Sequence, residues 1–253
     1  MRVRLRLVVV AWVGGGIAVA CLLPAVDELS GSGADASVAD AARETAPPAD
    51  TCDATFCDDF DRTALGATWT EARGLDAGLA TLGAPAVSPP NALRIAIADG
   101  GNRTFALVKD LAKGSALRCD FSLRADVVPA TAQDSADILS FYWAGSGSIV
   151  DADVLLSLSK AGLSLREDVG FTDGGCACPS FVVPPIPIAG SVFVRVGVAI
   201  DFATAHLYVN DTEVSAHAIT GNGAVPVRVT FGVDRPGQPT DVRLDDFSCR
   251  LAP

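Results

Sequence analysis

The sequence predicts an all-β fold, a two-sheet sandwich of the jelly-roll kind, on three observations. Long stretches alternate apolar and polar residues with period two, the pattern of strands with one face on a core and one in solvent. Turn residues separate them, at Asp99-Gly100-Gly101, Gly145-Ser146-Gly147, Ala161-Gly162 and Asn210-Asp211. Beyond the N-terminus, no window holds a helical period over three turns. From Cys52 to Pro253 the chain has roughly 200 residues and no internal repeat, a length that one all-β domain commonly reaches.

The alternation names the strands. In Leu117–Val127 the residues Leu117, Cys119, Phe121, Leu123, Ala125 and Val127 share one face, and Arg118, Asp120, Ser122, Arg124 and Asp126 the other. Val192, Val194, Val196, Val198 and Ile200 share a face, as do Val225, Val227, Val229, Phe231 and Val233. Further strands are expected at Ala92–Ile97, Thr104–Lys109, Ile138–Ala144, Val154–Leu158, Leu163–Glu167, Ala205–Val209 and Glu213–Ile219. The Gly- and Pro-rich stretch Val169–Ser191 is expected to be a loop.

The first fifty residues predict an address. MRVRLR is followed by a short apolar run broken by Gly14–Gly16 and by Ala18-Val19-Ala20-Cys21. A basic start, a short apolar stretch and a small-residue exit make residues 1–20 a signal peptide; the apolar stretch, Leu7–Ala20, is short for a membrane span of about 20 residues. Ala18-Val19-Ala20 satisfies ordinary cleavage, and with Cys21 it also resembles a bacterial lipobox, whose cysteine carries lipid. Cysteine parity favours the lipid. Without Cys21 the cysteines Cys52, Cys57, Cys119, Cys176, Cys178 and Cys249 form an even set, suited to disulfides in an exported protein. Residues 21–51, nearly devoid of bulky apolar side chains after Val26, are expected to form a lipid-anchored or free flexible linker ahead of a domain at 52–253.

Charge excludes one class of partner. The net charge is −11, and residues 1–20 contribute Arg2, Arg4 and Arg6 but no acid, so the remainder is more acidic still. Nucleic acid requires basic surface and is not an expected partner. Arg prevails over Lys and Asp over Glu, a skew typical of GC-rich bacterial coding, which makes Asp abundance a weak metal signal.

The order of features resembles the concanavalin A-like lectin/glucanase superfamily, close to its laminin G-like bacterial members. The resemblance rests on FCDDFDR…LGATW, SPPNALRI, LRCDFSLRADV, VFVRVGVAIDFATAHLYVND and VPVRVTFGVDRPGQPTDVRLDDFSCR, and covers roughly Phe56–Arg250. It implies a jelly roll; the superfamily spans lectins, glucanases and adhesion modules. It also implies that the first and last strands lie near the strand holding Cys119. On that basis the expected disulfides are Cys52–Cys57 and Cys119–Cys249, with Cys176 and Cys178 pairing with each other or exchanging with the N-terminal pair. Six cysteines allow fifteen connectivities.

The glucanase members carry E-x-D-x-(x)-E on one strand. Here Glu71, Glu167 and Glu213 are the glutamates of the domain, and none sits in that pattern. His206 and His217 read as outward strand residues, and there is no G-x-S-x-G elbow. No catalytic residue is assigned. For carbohydrate, the platform residues considered are Tyr142, Trp143, Trp69 and Tyr208, with Phe141 and Trp143 sharing a core face and Tyr142 the other. Tyr142, Tyr208, Arg166 and Asp153 are the ligand-binding candidates. Asp59, Asp61, Asp245 and Asp246 would suit the structural calcium that superfamily members often hold where the chain ends meet. The expectation is an exported, membrane-anchored bacterial module, at the outer membrane or cell surface, or else periplasmic or secreted. It would bind extracellular or cell-wall carbohydrate without catalysis; a glucanase-type glycoside hydrolase and a surface-protein contact module are the alternatives.

FCDDFDR and RLDDFSCR echo each other at the two ends of the domain. In the second, Val242 and Leu244 have one parity and Phe247 and Cys249 the other, which predicts a bulge at Asp245-Asp246.

Overall fold

The computed structural model describes residues 54–62, 64–99, 103–112, 116–131, 134–145, 147–182, 184–201, 203–220, 226–234 and 236–252. The expected signal peptide, the Cys21 lipidation site, the 21–51 linker and Cys52 lie outside them.

The residues form two antiparallel sheets. Sheet A contains β1 (Phe56–Asp58), β3 (Ala80–Gly83), β4 (Ala92–Ile97), β6 (Ala116–Val127), β11 (Val194–Ile200), β12 (Thr204–Val209), β13 (Thr212–Ala218) and β15 (Thr240–Ala252). Its order is β13-β12-β11-β6-β15-β4-β3, with β1 also on β15. Sheet B contains β2 (Glu71–Arg73), β5 (Phe105–Asp110), β7 (Ala136–Ala144), β8 (Ile149–Ser159), β9 (Gly162–Phe171), β10 (Cys176–Val182) and β14 (Arg228–Asp234), in the order β10-β9-β8-β7-β14-β5-β2. Among the described residues the only helical element is one 3-10 turn, Leu75–Ala77. The domain is a two-sheet jelly-roll sandwich.

Alternation explains why these segments pair. Leu117, Cys119, Phe121, Leu123 and Ala125 of β6 are buried, as are Val196, Val198 and Ile200 of β11 and Val229, Phe231 and Val233 of β14. Trp69, Phe121, Phe231 and Phe247 pack together between the sheets; Phe231 and Phe247 have ring centroids 4.3 Å apart, and Phe121 meets Phe231 edge-on at 5.0 Å. Trp69, considered as a platform, belongs to this core, as does Trp143. Three expected inward valines are exposed instead, Val127 at 45%, Val192 at 58% and Val227 at 36%, each at or beyond a strand end. The stretch expected to be a loop contains the end of β9 and the strand β10, joined by the turn Phe171–Gly175, with the Cys176–Cys178 disulfide within β10.

β15 organises the domain. One edge pairs with β6 along its length; the other pairs first with β4, Thr240–Leu244, and then with β1, Phe247–Cys249. The register against β6 shifts between Asp245 and Ser248, and Asp246 has φ 50°. This is the bulge that the parity change predicts, and it returns Phe247 and Cys249 to the core. Cys249 then faces Cys119 across the pair, and the two form a disulfide closing a separation of 130 residues. Cys57, on β1 beside Ser248, is also disulfide-bonded; its expected partner, Cys52, lies outside the described residues.

Candidate functional site

The DDF echo is one place in the fold, since Phe56 pairs with Cys249 and Asp58 with Phe247. Its carboxylates, however, face protein donors. Asp58 is buried and accepts from Trp69 Nε1 (2.8 Å), Thr68 Oγ1 (3.1 Å) and Phe60 N (3.0 Å). Asp59 accepts from Asp61 N, and Asp61 from Asn91 N. Asp245 is fully buried and accepts from Val87 N (2.7 Å), Ser88 N (3.1 Å), Ser88 Oγ (3.3 Å) and Asp246 N (2.9 Å), while Asp246 takes Ser88 Oγ at 2.6 Å. These bonds fasten the segment 84–91 at the point where β15 passes from β4 to β1 and its backbone edge has no strand partner. Each of the four aspartates expected to ligate calcium thus has at least one protein donor. Among the described residues no group of three or more His, Cys, Asp or Glu could hold a metal ion. Burial pushes Asp245 up to about 6 against the pull of the Ser88 amide, with the Asp246 charge adding to the rise.

The ligand candidates divide between the sheets. Tyr142, Asp153 and Arg166 come together on the outer face of sheet B, because the inner face of their strands takes Phe141, Trp143, Val154 and Leu165. Tyr142 lies beside Arg228 on one side and Asp153 on the other, and Asp153 lies beside Asp168. In the next row Thr230, Ser140, Leu155 and Arg166 stand abreast. Arg166 Nη2 donates to Asp137 Oδ2 (3.0 Å) and its Nε lies 3.7 Å from Asp168 Oδ2. That buried Nε has no hydrogen-bond partner. Burial raises Asp137, while Arg166 and the Ser157 hydroxyl (2.6 Å) oppose the shift. The face thus offers one aromatic ring among carboxylates, guanidinia and hydroxyls. Its alternation could have revealed Asp168 and Arg228, but only once the neighbouring strands were known; Asp137 has the parity of the inward Phe141 and Trp143, and the register shift between Asp137 and Leu139 brings it to this face.

Tyr208 is not part of that face. It lies on β12 in sheet A, where Gly197 opens the space between it and Asp120: a Cβ at Gly197 would stand 2.6 Å from Asp120 Oδ1 and 3.3 Å from Tyr208 Cβ. Arg118 lies over the Tyr208 ring, 4.3 Å from its centroid, and donates to Asp120 at 2.9 Å. Tyr208 Oη donates to Glu213 (3.2 Å), and His206 stands between Glu213 (3.3 Å) and Asp201 (3.4 Å). A depression of about 350 Å³ opens here, walled by Arg118, Asp201, His206, Tyr208 and Arg250. Neither Arg118 nor Arg250 is a candidate from the sequence.

The glutamates do not meet. Glu71 is exposed on β2 and paired with Arg73; Glu213 is on β13; Glu167 points between the sheets, where both its oxygens accept from Thr220 N (2.9 and 3.0 Å). Two pairs of aspartates stand opposite each other on sheet B, Asp153 with Asp168 and Asp137 with Asp234, and the second pair lines a recess. The recess they share with Ser140, Leu155, Thr230 and Gly232 is about 40 Å³, room for roughly one water and not for a sugar ring.

No known protein-family profile matches the chain, and no curated protein matches it. Solved structures do. An endo-glucanase of glycoside hydrolase family 16 from Bacteroides ovatus, in complex with G4G3G-2F-DNP, is similar over 77% of this chain and 99% of its own, with a TM-score of 0.54 at 11% identity. The alginate lyase vAL-1 from Chlorella virus is similar over 68% of this chain and 90% of its own, at TM-score 0.49 and 8% identity. The cellulose induced protein Cip1 covers 69% and 87%, at TM-score 0.47 and 12% identity. What the first of these establishes is the fold, a two-sheet jelly roll.

Proposed function

We propose that the protein is an exported, lipid-anchored bacterial module of the laminin G-like type that binds extracellular or cell-wall carbohydrate without cleaving it. The binding surface is the outer face of sheet B around Tyr142, Asp153 and Arg166. One observation carries the reading: an outward tyrosine stands among Arg228, Asp153 and Asp168, with Arg166 in the adjoining row, across four neighbouring strands. A pyranose can lay its C–H face on the ring while carboxylates and guanidinia engage its hydroxyls in pairs. Rigid strands fix those groups in advance, which limits the ordering cost of binding.

A hydrolase of the glucanase type is the second reading. It is supported by the fold and by the raised carboxyl of Asp137 opposite Asp234. Against it stands the small recess between them, since hydrolysis needs a glycosidic oxygen and a sugar ring between two carboxyls about 5–9.5 Å apart. Incubation with β-glucan and cell-wall oligosaccharides followed by product chromatography separates the two. Binding without new reducing ends supports the module; steady product formation that Asp137→Asn abolishes supports the enzyme.

A further inference from the structure

We propose that the depression on sheet A is a second ligand site, separate from the sheet B face, and that it takes a sugar bearing a carboxylate. The charges around it are unequal in one respect. Three acids around the depression are engaged: Asp120 by Arg118, Asp201 by the Ala203 and Thr204 amides and by His206, Glu213 by Tyr208 and His206. Arg250 is exposed and has no carboxylate partner among the described residues. This is unusual within the domain. Apart from Arg195 on β11, every other described arginine has a carboxylate oxygen within 3.4 Å. In an acid-rich chain a guanidinium without a partner, at the wall of a cavity, is a place for an anion from outside.

The position favours a sugar acid over a bare ion. Arg250 is the cross-strand neighbour of Arg118, and both residues line the depression, with the Arg118 guanidinium turned toward Tyr208. Arg118 is held by Asp120 and by the Tyr208 ring, which fixes its orientation. The near-parallel rings of His206 and Tyr208, centroids 6.3 Å apart, make the adjoining wall. About 350 Å³ is room for a ring and its substituents. A uronate would set its carboxylate on Arg250 in a bidentate pair and its ring against the His206–Tyr208 wall.

The test is calorimetric titration of the full-length protein with hexameric galacturonan, its fully methyl-esterified form, and inorganic phosphate. The expected result is saturable binding of the acid form and none of the ester. Arg250→Gln should weaken it by roughly tenfold or more, the size of a lost charge-assisted hydrogen bond. Lys160→Gln, which removes a cation elsewhere, should change nothing. Because Arg250 is exposed, its substitution leaves the core intact, and an unchanged unfolding midpoint confirms it. Equal binding of ester and acid, phosphate competing at equal concentration, or an Arg250→Gln affinity within twofold of the parent overturns the proposal. Binding of a neutral oligosaccharide with none of galacturonan refutes this site and leaves the sheet B reading standing.

Discussion

Asp245 makes the stability of the domain depend on pH in a direction opposite to the usual one for carboxylates. Its folded value is about 6, against an ordinary 3.8. Between those values the folded protein holds a proton that the unfolded chain has released, so stability rises as pH falls from 7 toward 4. The interval corresponds to roughly 3 kcal/mol at most, fully present below the unfolded value and lost as pH rises through about 6. Asp137, also raised by burial, acts in the same direction. Glu71 and Asp201 are lowered, and their contributions are lost only under more acidic conditions. Asp245→Asn removes the titrating group. Its effect at pH 7 is the difference of two opposed quantities: the ionised charge disappears, but the new amide nitrogen can no longer accept from the donors of one carboxyl oxygen, either Val87 N and Ser88 N or Asp246 N and Ser88 Oγ. Each such loss costs about 1–3 kcal/mol. The absolute change is therefore small, and the slope is the informative quantity. Urea unfolding at half-unit steps from pH 4.5 to 7, with constant m, reads it. The parent should lose stability across that range, and Asp245→Asn should lose markedly less. A parent whose stability rises with pH, or a variant with the parent's slope, refutes the reasoning.

Two further outcomes test the packing and the ends of the chain. Glu167→Gln leaves one acceptor where two now receive Thr220 N and should cost about 1–3 kcal/mol in urea unfolding; an unchanged midpoint would show that the anchor between β9 and the segment after β13 is idle. Chelation with EDTA should leave the thermal midpoint unchanged, since Asp59, Asp61, Asp245 and Asp246 form no cluster of three or more that could hold a metal ion among the described residues. A fall of several degrees that calcium restores would return these aspartates to a metal role.

The sheets were legible where strands are long and half-buried. β6, β11 and β12 announce themselves because each inward position is apolar and each outward one polar or small. The bulge at Asp245-Asp246 was legible for the same reason, as a change of parity between Leu244 and Phe247. β2 and β3 were not, being three and four residues long and mostly exposed, without an apolar face to alternate. β10 was concealed by the Gly- and Pro-rich composition around CAC and by the register shift between Ala177 and Phe181. The role of Asp245 could not be read from its neighbours, because its partners Val87 and Ser88 lie 158 and 157 residues away. The same limit separated the two tyrosines. Tyr142 and Tyr208 have similar local sequences, and only long-range strand order puts one on sheet B and the other on sheet A. Arg250 went unnoticed because its distinction is the lack of a partner, which no local pattern records.

The central claim is glycan binding by the sheet B face, and the most direct measurement is a glycan-array screen followed by titration of the strongest neutral hit against the parent and Tyr142→Ala. Tyr142 is outward and packs in no core cluster, so its removal tests binding without unfolding the domain. The expected result is a defined set of oligosaccharides bound by the parent and a loss of roughly tenfold or more in affinity in the variant, with its unfolding midpoint unchanged. Parent and variant binding the same glycan with equal affinity, or a parent that binds none, would contradict it.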